Sequence, residues 1–180
     1  ADRSRALASF VTPALRLGGW LNDRVPIDAA EADQSQAGKG FRQELVFSLY
    51  NEMPALCGQK RGGVGSLDES IQSAMLTGRP FVQLDNMRGR LDSPFLEMVL
   101  TAGGSVGLRV PHKGDIQADA RHFLFFITSN GVEATVDLLN RASIVRIKKR
   151  EGYRFRQFPE GALNDHLRAN QPYFLGAVFA

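Results

Sequence analysis

Three short apolar runs that end in polar punctuation constrain this chain more than anything else in it. Val25-Pro26-Ile27-Asp28-Ala29-Ala30 is extended in character and leads to Ala37-Gly38-Lys39-Gly40. Pro80-Phe81-Val82-Gln83-Leu84 runs into Asp85-Asn86, and Phe123-Leu124-Phe125-Phe126-Ile127 runs into Thr128-Ser129-Asn130. Apolar runs of this length, bounded by turn residues, read as strands buried on both faces, the habit of parallel sheets. Such strands carry their terminal polar residues to the carboxyl edge of an open sheet, where ligands of α/β proteins bind.

Helical signals fall between these strands. Leu7, Phe10, Val11, Leu15 and Leu17 keep helical spacing within residues 5–21, with Pro13 predicting an interruption and a loop after it. Residues 41–52 follow the Gly-Lys turn as a helix. Ser66 with Glu69 three residues later is a helix-start signature, and Gly78 and Pro80 end that helix. Ser93-Pro94 opens another, with proline at its first position. Residues 106–110 and 116–120 flank Pro111-His112-Lys113-Gly114-Asp115, which predicts a β-hairpin. A short helix over 134–140, a strand over 143–147 and a helix from about residue 160 complete the series. Alternation of strand and helix predicts an α/β fold with an open, mostly parallel sheet flanked by helices and a hairpin before the strand that ends at Asn130.

The chain of 180 residues suffices for one substantial core, and 43% hydrophobic with 23% charged residues is an ordinary globular balance. No apolar run approaches the ~20 residues that span a bilayer, so no membrane partner is expected. Cys57 is the single cysteine, which excludes an internal disulfide and fits a reducing cytoplasm. A net charge of +3 permits contact with nucleic acid. The final segment, residues 172–180, stops within an apolar run, which predicts a piece of a longer protein.

A phosphate-binding loop needs inward-facing backbone amides, glycines that allow close approach, and a lysine for the outer phosphates. Gly38, Lys39 and Gly40 supply most of this between a strand and a helix. Asp33 stands where the usual first glycine would be, and Gly40 replaces the hydroxyl residue that normally holds Mg²⁺, which leaves Ser35 as a candidate substitute. Taken alone, Ala-Gly-Lys-Gly is more often a plain turn. Asp85, at a strand end, suits a Mg²⁺-holding carboxylate, or simply an Asx-turn. Asn86 follows it where a glutamate base would be expected, leaving Glu69 and Glu97 as alternative bases. Asn130 can orient an attacking water or touch the terminal phosphate, with Thr128 and Ser129 placed to fix its rotamer, or can serve only as the turn residue before Gly131. Arg141, at the end of a short helix, can reach a neighbouring subunit's phosphates or merely complement its own helix dipole.

Together these residues resemble P-loop ATPases of the AAA+ type, and within them the replicative primase-helicases of phages, plasmids and mobile elements, in kind like superfamily 3 helicases. The stretch concerned is roughly residues 25–150. Its most specific pieces are residues 35–40, 81–86, 126–130 and 137–141. The resemblance implies a P-loop NTPase core over 25–150, a helical extension over 1–24 and the start of a lid over 151–180. It makes Lys39 the Walker A lysine, with Ser35, Gly38 and Gly40 beside the phosphates. Asp85 becomes the Walker B aspartate and Mg²⁺ ligand, Asn130 the sensor-1 residue and Arg141 the arginine finger. ATP and Mg²⁺ are the implied cofactors, and a homo-oligomeric ring acting on DNA, single-stranded by expectation, is the implied assembly. The hairpin, with Arg109, His112 and Lys113, is the implied DNA contact.

A second basic cluster, Arg146, Lys148, Lys149, Arg150, Arg154 and Arg156 near Tyr153, Phe155 and Phe158, has the cation-and-aromatic mixture of single-strand binding surfaces, and equally that of a solvated lid face. Lys60 and Arg61 beside Gly62 and Gly63 could touch phosphate or a neighbouring subunit. Gly40 and Asn86 keep a second function open, a non-hydrolysing P-loop scaffold that holds DNA or a replication partner. A small-molecule kinase on the same core is a third, without an acceptor motif to support it.

Overall fold

The computed structural model describes residues 2–34, 37–58, 66–110, 112–131, 133–149, 151–152 and 156–180. Five parallel strands form one sheet: β1 (Ile27–Ala32), β2 (Ala55–Cys57), β3 (Phe81–Met87), β7 (Leu124–Ser129) and β9 (Ala142–Ile147), in the spatial order β2-β3-β7-β1-β9. The chain leaves β1 for the far edge, returns strand by strand to β7 beside it, and then crosses to β9 on its other side. β1 therefore sits where the direction of winding reverses, and a crevice opens at such a point above the carboxyl ends.

Helices cover both faces. Ile27, Ala29, Ala55, Cys57, Val82, Leu84, Phe125 and Ile127 point to one face, into a core shared with α3 (Leu67–Leu76), α4 (Pro94–Thr101) and α5 (Val136–Asn140). Phe81, Leu124 and Phe126 point the other way, against Val46 and Phe47 of α2 (Lys39–Leu49) and Phe10 of α1 (Asp2–Leu17). This is the two-residue alternation of a strand expressed on both sides of a fully covered sheet. Phe47 meets Phe126 edge-on at 4.9 Å and Phe81 at 5.5 Å, so three aromatic rings fix the height of α2 above the sheet. Outside this layer, α6 (Leu163–Ala169) and α7 (Gln171–Phe179) lie over α1 and α2, with the Gln171 amide donating to the Leu49 carbonyl at 2.8 Å.

The expected hairpin is present as β5 (Ser105–Val110) and β6 (Gly114–Asp119), antiparallel, with Val110 opposite Gly114. Its base is held by the Ala120 amide on the Gly104 carbonyl at 2.8 Å. Arg121 grips Asp119 through its amide and guanidinium, which drives that carboxyl down to about 2. The Ser66 and Ser93 caps form as the sequence predicts, accepting from Glu69 N at 3.2 Å and Leu96 N at 3.1 Å.

Three features differ from the sequence reading. Residues 55–57 form an edge strand, too short to show a period. Two further segments, β4 (Arg90–Leu91) and β8 (Glu133–Ala134), pair in parallel just beyond the ends of β3 and β7. The third difference is that Pro13 does not end α1. Its ring removes one donor from the ladder, and the Tyr50 hydroxyl enters there, accepting from the Ala14 amide at 3.2 Å and donating to the Phe10 carbonyl. A side chain inserted into the i→i−4 ladder beside a proline lets the helix continue with its polar groups satisfied. Burial raises the Tyr50 phenol above its ordinary range. Tyr50→Phe should therefore cost about 1–2 kcal/mol of stability, read by urea denaturation, because two backbone groups lose a shared partner. An unchanged midpoint would show that α1 closes its own ladder.

Candidate functional site at the carboxyl edge of the sheet

The site begins with the seating of α2. Gly38 precedes it at φ 91°, the left-handed region open to glycine, and has no side chain to cap the helix. The first turn of α2 holds no acidic residue, so no carboxylate of its own satisfies its free backbone amides and partial positive charge. Lys39 is the first helical residue, one turn above the buried polar residues that fix α2 to the sheet.

Two such residues are adjacent. Arg42 forms a bidentate pair with Asp28 of β1 at 2.6 and 2.9 Å, both side chains largely buried, and also donates to Ser9 of α1. Gln43 is fully buried. Its amide donates to the Ile127 carbonyl of β7 at 2.9 Å, and its carbonyl oxygen accepts from Gln83 of β3 at 3.1 Å. One helical turn thereby makes directional contacts with β1, β7 and β3, the three strands whose ends form the site.

At those ends, Lys39 Nζ donates to Asn130 Oδ1. Burial lowers the Lys39 ammonium below its usual range, and the nearby Asp85 carboxylate opposes that shift. Asp85 accepts from the Thr128 hydroxyl at 2.7 Å, and the same hydroxyl accepts from the Asn86 amide at 2.7 Å. Asn86 stands at φ 51°, and the β3–β7 register shifts between Leu84 and Met87. The irregularity is a bulge that lifts Asp85 out of the sheet plane into solvent. Ser129 closes the far side by donating to the Met87 carbonyl at 3.1 Å. The β4–β8 pairing then resumes, so the polar turn is pinned before and after.

Lys39, Gly38, Gly40, Asp85 and Asn130 thus come together at one edge. Ser35 lies outside the described residues, as do Lys60 to Gly63, Arg150, Tyr153, Arg154 and Phe155. Arg141 is elsewhere. Its carbonyl accepts from the Ile27 amide at 2.8 Å, at the amino end of β1, so the length of that six-residue strand, about 20 Å, separates it from Lys39. Its guanidinium pairs with Asp137 at 3.0 Å. The hairpin packs on α3, on the face opposite α2, with the Arg109 amide donating to Gln72; His112 and Lys113 are exposed at its turn. Of the two candidate bases, Glu69 stands exposed in the first turn of α3, and Glu97 accepts from the Thr135 hydroxyl. In the second basic cluster, Arg146 pairs with Glu31 at 2.9 Å and Arg156 lies over the Phe158 ring.

Among the described residues, no three His, Cys, Asp or Glu side chains gather to hold a metal by themselves. A single carboxylate, Asp85, matches only the kind of Mg²⁺ site that takes one or two carboxylates and completes its shell with ligand phosphates and water. No described helix is long and apolar enough to cross a membrane. Two cavities, of about 20 and 40 Å³, lie against Arg16 and Pro13 respectively, away from Lys39. Sequence reasoning missed Gln43 and Gln83, which look like ordinary surface or strand residues until the sheet order puts them together; Thr128, expected to fix the Asn130 rotamer, instead bonds Asp85 and the Asn86 amide. No protein-family model and no curated protein matches the sequence.

The buried glutamine pair has a measurable consequence. Gln43→Leu should cost about 1–3 kcal/mol in urea denaturation, because it strands the Gln83 amide. Adding Gln83→Leu should recover part of that loss, since no unpaired donor remains. Additive losses would show that the two amides act independently.

Proposed function

We propose that the chain is the ATP-binding and hydrolysing motor of a DNA-replication or DNA-remodelling protein, a P-loop module of the AAA+ type that works as a ring with ATP at subunit interfaces. The observation that carries this reading is the convergence of Lys39, Asp85 and Asn130 on one sheet edge beside the uncapped start of α2. The strand order supports it further. β7, which ends at Asn130, lies between the strand that leads to Lys39 and the strand that carries Asp85. An amide in that middle position can reach both the terminal phosphate and the water that attacks it.

In this reading the α2 amides and Lys39 would hold the phosphates, and Asp85 would hold Mg²⁺, whose charge would offset that of the phosphate oxygens. Asn130 exchanges its bond to Lys39 for one to water or phosphate. Arg141, at the opposite edge of the sheet, serves the nucleotide of the next subunit, because its own is a strand length away. Arg109, His112 and Lys113 on the hairpin contact DNA. Double replacement of Arg109 and Lys113 by alanine should then flatten the dependence of log affinity on log salt for single-stranded DNA by about one to two units. An unchanged slope would remove the hairpin from the DNA interface.

One observation favours a second reading, a nucleotide-binding scaffold that does not hydrolyse. The residue after Asp85 is Asn86, held in a left-handed turn by Thr128, and an amide there cannot take a proton from water. Equilibrium binding of a fluorescent ATP analogue with Mg²⁺ tests what the two readings share. Lys39→Ala should weaken binding on the order of tenfold or more, the loss of one charge-assisted contact to phosphate. Equal affinity in both proteins would overturn the P-loop reading. DNA-stimulated phosphate release that is lost in Asp85→Ala then selects the motor over the scaffold.

A further inference from the structure

We propose that Thr128 is the positioning residue of the metal-holding carboxylate: its hydroxyl sets the orientation of Asp85 and thereby the affinity of the edge for the Mg²⁺ that accompanies nucleotide. The inference rests on the ATP reading above and assigns to that site a residue outside the phosphate loop. Thr128 is buried on β7, and its one hydroxyl is used in both senses. It accepts from the Asn86 amide at 2.7 Å and donates to Asp85 Oδ1 at 2.7 Å. The backbone amide can only donate, so the hydroxyl proton is left to point at the carboxylate. The direction of the relay is therefore fixed by chemistry as well as by distance.

The backbone makes this contact consequential. Asp85 and Asn86 form the bulge of β3, where register with β7 is lost between Leu84 and Met87. The regular register is interrupted at the carboxylate's own turn. Thr128 spans that interruption with two bonds from a single side chain, one to the turn's backbone and one to the functional group. Asp85 is exposed, so without the hydroxyl its side chain would sample several rotamers and pay the ordering cost on binding a cation. Outer partners that orient metal ligands commonly account for ten- to a hundredfold in metal affinity.

The test measures binding of the fluorescent ATP analogue across a Mg²⁺ titration and again in EDTA, for wild type, Thr128→Val and Thr128→Ser. Valine matches threonine in shape and removes only the hydroxyl; serine keeps the hydroxyl and removes the methyl. Thr128→Val should raise the Mg²⁺ concentration at half-effect by roughly tenfold or more while leaving affinity in EDTA unchanged. Thr128→Ser should return it close to the wild-type value. In an Asp85→Ala background, Thr128→Val should have no further effect on the Mg²⁺ response. A normal Mg²⁺ response in Thr128→Val would overturn the role of Thr128 alone, and so would equal defects in the valine and serine variants. A wild-type protein whose nucleotide binding ignores Mg²⁺ would overturn the Asp85 assignment on which the proposal rests.

Discussion

The seating of α2 on the sheet is the constraint from which the rest of the site follows. A helix laid on a sheet by apolar contact alone can slide, because the hydrophobic effect is proportional to area and has no direction. Here the Phe47, Phe81 and Phe126 rings set the height, and polar bonds set the register. Arg42 takes both oxygens of Asp28, and Gln43 reaches the Ile127 carbonyl and the Gln83 amide. A buried charge pair of this kind contributes little net stability against apolar residues of equal volume, but losing one partner leaves an unpaired charge in the core. Its value here is positional. Lys39 begins the same helix and inherits that register.

The two edges of the sheet divide the chemistry. The carboxyl edge gathers the lysine, carboxylate and amide around the start of α2. The amino edge carries Arg141, tied to the start of β1 through its carbonyl. A group at one edge cannot serve a ligand at the other within one chain, because a strand is rigid and about 20 Å long here. If Arg141 acts on phosphate, it acts across an interface between copies. That conclusion follows from the parallel strand order, which assigns every strand end to one edge or the other, and not from the character of Arg141 itself. Its pairing with Asp137 holds the guanidinium against its own helix.

Asn86, which follows Asp85 where a glutamate was expected, lies in a bulge that the neighbouring strand supports. Asn86 in a left-handed conformation is tolerated more readily than most residues would be, since its short polar side chain suits that region. The Thr128 hydroxyl and the Ser129 hydroxyl both bond across to β3, and the pairing of β4 with β8 resumes at once. The turn is therefore shaped, not frayed. Its shape exposes Asp85 while the four preceding strand residues are buried.

Much of the fold was legible along the chain because its signals are local. Strand cores are continuous apolar runs, and the Ser66 and Ser93 caps are short-range chemistry that needs no partner element. The polar residues that end these runs, Asp85 and Asn130, were readable as edge residues for the same reason. What the sequence could not supply was adjacency. Pro13 reads as a helix end, and only Tyr50, brought across from α2's end, lets the helix pass through it. Residues 55–57 are too few to show a period, and pairing with β3 makes them a strand. Gln43 and Gln83 carry no sequence signal at all, since their role is to meet one another; Thr128 stands at a readable strand end, but its partners there are Asp85 and Asn86. The sequence by itself determined where strands end and which polar groups stand there. Tertiary structure alone decided that Lys39 meets Asn130, that Thr128 holds Asp85, and that Arg141 lies at the opposite edge. Strand order and register are long-range choices, set by how two apolar faces are buried together.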